Sequence, residues 1–226
     1  VPAGRALHIE YDLLGQPLGT SINDVSTSYS YNSAGNMETV TSPGGGAISY
    51  YYDLLSDSVV VTLPDGDRET YRYDENDNLI EFVDTQGNRY SYIYDELDRL
   101  KKVIHPDGGE IDYDYDARGN LISATNERGA TIYAEYNLGD YPINTEDAVG
   151  NSTRYEYNEM GQLVKIIEPL GLTTDFAYDR EGHIVAETLP SNREMLYSYD
   201  SLGRLVSETN ALGYTTFYTY NNIDRL

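Results

Sequence analysis

The chain has 226 residues, room for one large domain or two small ones, and 15 Lys and Arg against 38 Asp and Glu give a formal charge of −23. That balance disfavours nucleic acid and anionic membranes as partners, and the absence of Cys excludes disulfides, thiolate metal centres and cysteine nucleophiles. No apolar run approaches the ~18 residues of a membrane-spanning helix, Val1-Pro2-Ala3-Gly4-Arg5 does not read as a signal peptide, and 24 Tyr beside no Trp call for an explanation.

The tyrosines recur in register. Taking the second Tyr of each Tyr-x-Tyr-Asp-like block as an anchor gives Tyr11, Tyr31, Tyr52, Tyr73, Tyr94, Tyr115, Tyr136, Tyr157, Tyr178, Tyr199 and Tyr220. The first spacing is 20 residues and the next nine are 21. Two residues before each anchor stand Ile9, Tyr29, Tyr50, Tyr71, Tyr92, Tyr113, Ala134, Tyr155, Phe176, Tyr197 and Tyr218, so the two columns hold 19 of the 24 tyrosines. The residue after every anchor is Asp or Asn, as in Asp74, Asp95, Asp116 and Asp200. Four residues after the anchor, Gly or Asp is usual, as in Gly119, Gly161 and Gly203. Six after it a Leu, Ile or Met is the rule, as in Leu79, Leu100 and Leu205. Fourteen after it Gly dominates, from Gly45 and Gly66 to Gly213, often with Pro two residues earlier.

Each column has a physical reading. Tyr at period two, as in Tyr71-Arg72-Tyr73, Tyr92-Ile93-Tyr94, Tyr113-Asp114-Tyr115, Tyr155-Glu156-Tyr157 and Tyr197-Ser198-Tyr199, makes a strand with one aromatic face. Asp-x-x-Gly is turn chemistry, because the carboxylate can bond the backbone two residues on and Gly accepts positive φ. The Leu opens a return strand rich in Val, Ile and Thr, and Pro-x-Gly turns the chain into the next unit. The expected fold is all-β with almost no helix: residues 1–226 as a single array of tandem hairpins, an antiparallel strip that must curl or spiral, since open sheets rarely exceed ~10 strands. The ladder tyrosines are expected to pack each on its equivalent one repeat away.

Tyr197-Ser198-Tyr199-Asp200-Ser201-Leu202-Gly203-Arg204-Leu205 resembles the YD repeat of Rhs proteins, the B and C components of Tc toxins, and teneurins. The likeness runs the whole length of the chain. It implies a hollow β-shell which in the bacterial toxins encloses a C-terminal toxic domain, and in teneurins an extracellular scaffold. Arg follows the turn Gly or Asp only at Arg99, Arg204 and Arg225, and the repeat at Asn137-Leu138-Gly139-Asp140-Tyr141-Pro142 has Pro where Leu is expected. An Asp-Pro-x-Gly-Leu-like motif of the kind that closes such shells is missing, so the chain reads as a section of a longer protein.

Catalytic chemistry finds little footing. His8, His105 and His183 occupy different repeat phases and read as solvated strand or turn residues. Asp84-Thr85-Gln86-Gly87 has the look of an aspartic-protease triplet but sits in an ordinary turn. Asp74-Glu75-Asn76-Asp77-Asn78 opens like a calcium loop, yet Leu79 and Thr85 stand where that loop needs Gly and Glu. The expected function is therefore a non-enzymatic scaffold without cofactor, metal or catalytic residues. The expected partners are an enclosed or fused toxin or effector polypeptide and flanking shell repeats, on a secreted or cell-surface protein. The alternative is an adhesion module using the tyrosine rows to bind glycans or protein. In either case the negative charge supplies self-repulsion between exposed strand edges.

Overall fold

The computed structural model describes residues 7–23 and 25–220. The expectations for Val1-Pro2-Ala3-Gly4-Arg5 and Arg225 lie outside them. Among the described residues twenty-one strands follow one another from Leu7–Tyr11 to Thr215–Phe217, and the single helical element is a 3-10 turn at Pro169–Gly171. The chain is thus all-β, as its period-two patterning requires. It groups into two compact units, Val1–Asp112 and Tyr113–Leu226, with strand Glu110–Tyr115 spanning the boundary.

In the first unit the hairpin of strands Arg68–Tyr73 and Leu79–Val83 shows the plan. Tyr71 lies opposite Phe82 and Tyr73 opposite Leu79, with a register shift between Arg72 and Tyr73. Alternation puts Tyr71, Phe82 and, on the next strand, Tyr90 on one face, with ring centroids 4.9 and 5.7 Å apart. The opposite face carries Arg72, Glu81 and Arg89, and Glu81 pairs with both arginines. Farther along this unit Lys102 pairs with Glu110 and Asp112. The second unit repeats the scheme: Tyr155 faces Ile166 and Tyr157 faces Leu163, while Lys165 meets Asp175 at 3.0 Å on the other face.

Most hairpin ends are closed by one turn type; the connections Ile22–Val25, Asp53–Ser58 and Leu189–Arg193 are the exceptions among the described residues. Between Tyr73 and Leu79 the Asp74 N–H donates to Asn78 O (2.9 Å) and the Asp77 N–H to Asp74 O (3.1 Å), with Asp77 at φ 64°. At the far end the Asp84 N–H donates to Asn88 O and the Gly87 N–H to Asp84 O, both at 3.0 Å, with Gly87 at φ 83°. This is a type I turn whose last residue must adopt the left-handed conformation, which explains Gly, Asp or Asn there. Pro64 and Pro106 stand second in such turns, where the fixed φ of proline fits. The first inter-anchor spacing is one residue short because Ile22 pairs with Val25 across a tighter connection, with Asn23 at φ 51°.

No described side chain is fully enclosed. The strands do not stack into a second layer within either unit, and stability rests on partial burial along the ladders together with the turns.

Candidate functional site

The residues that the repeat singles out converge on the joints between consecutive hairpins. The anchor hydroxyl reaches back fifteen residues to a main-chain carbonyl of the preceding repeat. Tyr94 donates to Leu79 O (3.0 Å), Tyr157 to Pro142 O (2.9 Å), Tyr178 to Leu163 O (2.7 Å), Tyr199 to Ile184 O (3.0 Å) and Tyr220 to Leu205 O (2.8 Å). The acceptor is the first residue of the preceding return strand, so Pro142 serves as well as Leu: only its carbonyl is used. Tyr73 is held differently, its N–H donating to Asp57 O at 2.9 Å.

The tyrosine column two residues earlier lies over the return strand of the preceding repeat. Tyr29 Oη is 3.3 Å from Thr20 Oγ1, Tyr155 Oη is 3.4 Å from Thr145 Oγ1, and Tyr197 donates to Glu187 Oε2 at 3.5 Å. Tyr71 instead donates to Glu69 Oε2 at 2.8 Å. Burial and then that carboxylate push its phenol up to about 12. Burial raises the Tyr92 phenol too, and Tyr113, Tyr115 and Tyr136 are half-buried like the rest. Eighteen of the 19 column tyrosines are half-buried, with Tyr11 at 57 % exposure the exception. Among the described residues no ring contact joins two of them. Two strand spacings, roughly 10 Å, separate equivalent rings, and return-strand side chains such as Phe82 fill the interval, so the expected ring-on-ring packing is indirect.

The Asp after each anchor organises the turn. Asp95 Oδ1 accepts from the N–H groups of Leu97 (2.9 Å) and Arg99 (3.0 Å), and its Oδ2 accepts from Arg99 Nε (2.7 Å). Asp74, Asp116 and Asp200 repeat the arrangement with Asn78, Asn120 and Arg204. The Arg99 hydrogen bond, with those from the backbone, holds the Asp95 carboxyl down at about 2 against its ordinary 3.8. A carboxylate depressed on folding stabilises the fold above its unfolded pKa, and that contribution fades as pH falls toward the folded value. Thermal stability is therefore expected to drop between pH 4 and pH 2. Asp95→Asn keeps the Oδ1 acceptor, as Asn32 and Asn158 do naturally, and should flatten that part of a melting-temperature profile; an unchanged acid limb would refute the assignment.

The sequence reading missed two columns. Eleven residues after the anchor, Asp84, Asn126, Asp147 and Asn210 make the same side-chain turn at the opposite rim. Five residues after the anchor stands a planar side chain that bridges to the next repeat. Gln16 Nε2 donates to Gly35 O (2.8 Å), Asn78 Nδ2 to Asp98 Oδ1 (2.7 Å) and Asn120 Nδ2 to Asp140 Oδ1 (2.8 Å). Tyr141 stacks on Tyr157 at 5.0 Å, His183 on Tyr199 at 4.7 Å, and Arg204 lies 4.7 Å over the Tyr220 ring. His183 is thus more than a solvated turn residue: its Nδ1 also lies 3.0 Å from Asp179 Oδ2. The partner adapts to the bridge. Asp98 and Asp140 receive an Asn, whereas Gly161 and Gly203 lie under Tyr141 and His183, where a Cβ would come within 2.7 Å of the Tyr141 hydroxyl and 3.0 Å of the His183 ring. Among the described residues no three His, Asp or Glu side chains form a metal cage.

The sequence and the fold both have known counterparts. The Teneurin YD-shell family model matches residues 3–88 and 80–226. No curated protein matches the sequence. Among solved structures, TcdB2-TccC3 is similar over 95 % of this chain at 15 % identity and a TM-score of 0.64. TcdB2-TccC3-Cdc42 is similar over 94 % at 15 % identity and a TM-score of 0.65. The Photorhabdus luminescens Tc holotoxin pore matches over 96 % at 15 % identity and a TM-score of 0.56. This chain spans 16 % of the length of each of those chains. With the family model matching residues 3–88 and 80–226, the chain belongs to the Teneurin YD-shell family.

Proposed function

We propose that this chain is a section of shell wall, a non-enzymatic scaffold that with flanking repeats encloses or displays a toxin or effector polypeptide outside the producing cell. The observation that carries the reading is that no described side chain is enclosed, while within each unit anchor and bridging bonds such as Tyr94 to Leu79 and Tyr178 to Leu163 join consecutive repeats. Such a construction holds a wall together and leaves both faces free. On this reading residues 1–226 act as one array. Tyr73, Tyr94, Tyr115, Tyr157 and Tyr199 then serve as joints, Tyr71, Tyr92, Tyr113, Tyr155 and Tyr197 as ladder rings, Asp74, Asp95, Asp116 and Asp200 as turn organisers, and Gly119, Gly161 and Gly203 as turn closers. Similarity to a Tc holotoxin pore and to TcdB2-TccC3 without its hypervariable C-terminal region supports the reading. The glycan alternative fares less well, because the most exposed tyrosines, Tyr51 at 67 % and Tyr214 at 71 %, lie off the two columns and form no flat row.

Limited proteolysis of the parent protein tests the reading. The polypeptide joined to the repeats should resist protease in the intact protein and become cleavable when Gly161→Asp loosens the wall. Equal cleavage with and without the repeats would overturn it.

A further inference from the structure

The ladder has one gap. The column two residues before the anchor is aromatic in every repeat but the first and the seventh, where Ile9 and Ala134 stand, and Ile9 has no preceding repeat to lie over. Where the hydroxyl reaches back, the ring lies over the return-strand residue nine or ten positions earlier, as Tyr29 over Thr20, Tyr155 over Thr145 and Tyr197 over Glu187. Ten positions before Ala134 stands Ala124. Ring and underlying residue are therefore both reduced to a methyl group, and a hollow of about 440 Å³ opens there, lined by Ala124, Ala134, Ile132, Tyr136, Thr145 and Thr153. All of these belong to the second unit.

We infer that this hollow is a slot for the tyrosine or phenylalanine ring of a polypeptide segment lying across this face. The walls are those that accept a phenol in neighbouring repeats: aliphatic floor, threonine hydroxyls at the edge, and the half-buried Tyr136 alongside. The slot is open, so a lone ring would bury little surface and bind only on the order of millimolar. A polypeptide adds contacts beyond the ring, and basic residues flanking it are favoured by the chain's net charge of −23. Asp147 at the rim of the hollow adds to that preference. The inference rests on the shell reading for a polypeptide being present, but the slot is tested on this chain alone.

The experiment is methyl NMR of the 226-residue chain with labelled alanine, titrated with 4-methylphenol, acetyl-Lys-Tyr-Lys-amide and acetyl-Lys-Ala-Lys-amide. The tyrosine peptide should give saturable upfield ring-current shifts at Ala124 and Ala134. It should bind about tenfold or more tighter than 4-methylphenol, and the alanine peptide should shift neither methyl. Ala134→Tyr should fill the slot from within, abolish the Ala124 shifts and raise the melting temperature. Shifts that persist in Ala134→Tyr, a variant that melts lower, or a peptide no tighter than 4-methylphenol would each overturn the assignment. Protease protection of the parent protein is a separate readout, so the slot and the enclosure can fail independently.

Discussion

Tyr178→Ala is expected to destabilise its pair of repeats by about 3 kcal/mol, combining loss of a half-buried ring with loss of one hydrogen bond. Tyr178→Phe should cost only about 1 kcal/mol, since it removes the hydroxyl that donates to Leu163 O and leaves the ring. Tyr51→Ala is the control: that ring is 67 % exposed and off the columns, so a change within about 0.5 kcal/mol is expected. Denaturant titrations of the three variants read these differences. Hydrogen exchange should place the loosening in the strands Leu163–Ile167 and Thr173–Tyr178, because in a repeat array each unit is stabilised chiefly by its neighbours. Equal losses for Tyr178→Phe and Tyr51→Ala would remove the anchor from its role.

The second large effect concerns the bridge between Tyr141 and Gly161. Gly129 and Gly161 share the left-handed conformation, φ 75° and 77°, but a Cβ on Gly129 meets nothing within 4 Å whereas one on Gly161 meets Tyr141 at 2.7 Å. Gly129→Ala should therefore cost about 1–2 kcal/mol from backbone conformation alone. Gly161→Ala should cost that and the displacement of Tyr141 from its place over Tyr157, a stacking worth about 0.5–1.5 kcal/mol. Gly161→Asp should be worse in the parent and tolerated in Tyr141→Asn, which rebuilds the Asn120–Asp140 joint one repeat along. A double-mutant cycle measures this as a favourable coupling on the order of 1 kcal/mol. Strict additivity would show that the two positions do not communicate.

The period, the hairpins and the closed turns were legible in the amino-acid order because each depends on one residue type. Only an Asx side chain can accept from both the second and the fourth following N–H, so Asp95 and Asn158 mark their turns openly. The bridging column was not legible, for the opposite reason. It asks for a flat group with a polar edge, and Gln16, Asn78, Tyr141, His183 and Arg204 all supply one. Read one residue at a time these look like decay from an arginine motif; the shared attribute is shape. Pro142 misled in the same way, since the joint uses its carbonyl and is indifferent to its side chain. Ala134 carries no signal of its own in the sequence; only the structure sets Ala124 and Ala134 on one hollow.

That nothing described is buried bears on how such a protein changes over time. Ordinary domains evolve under the veto of their interiors, where an altered volume is felt at once. Here the constraint is drawn at the rims and along two narrow columns, and most remaining positions look outward on one side or the other. Substitutions can accumulate on either face without asking leave of a core. A likeness that keeps its fold at 15 % identity is what such freedom leaves behind.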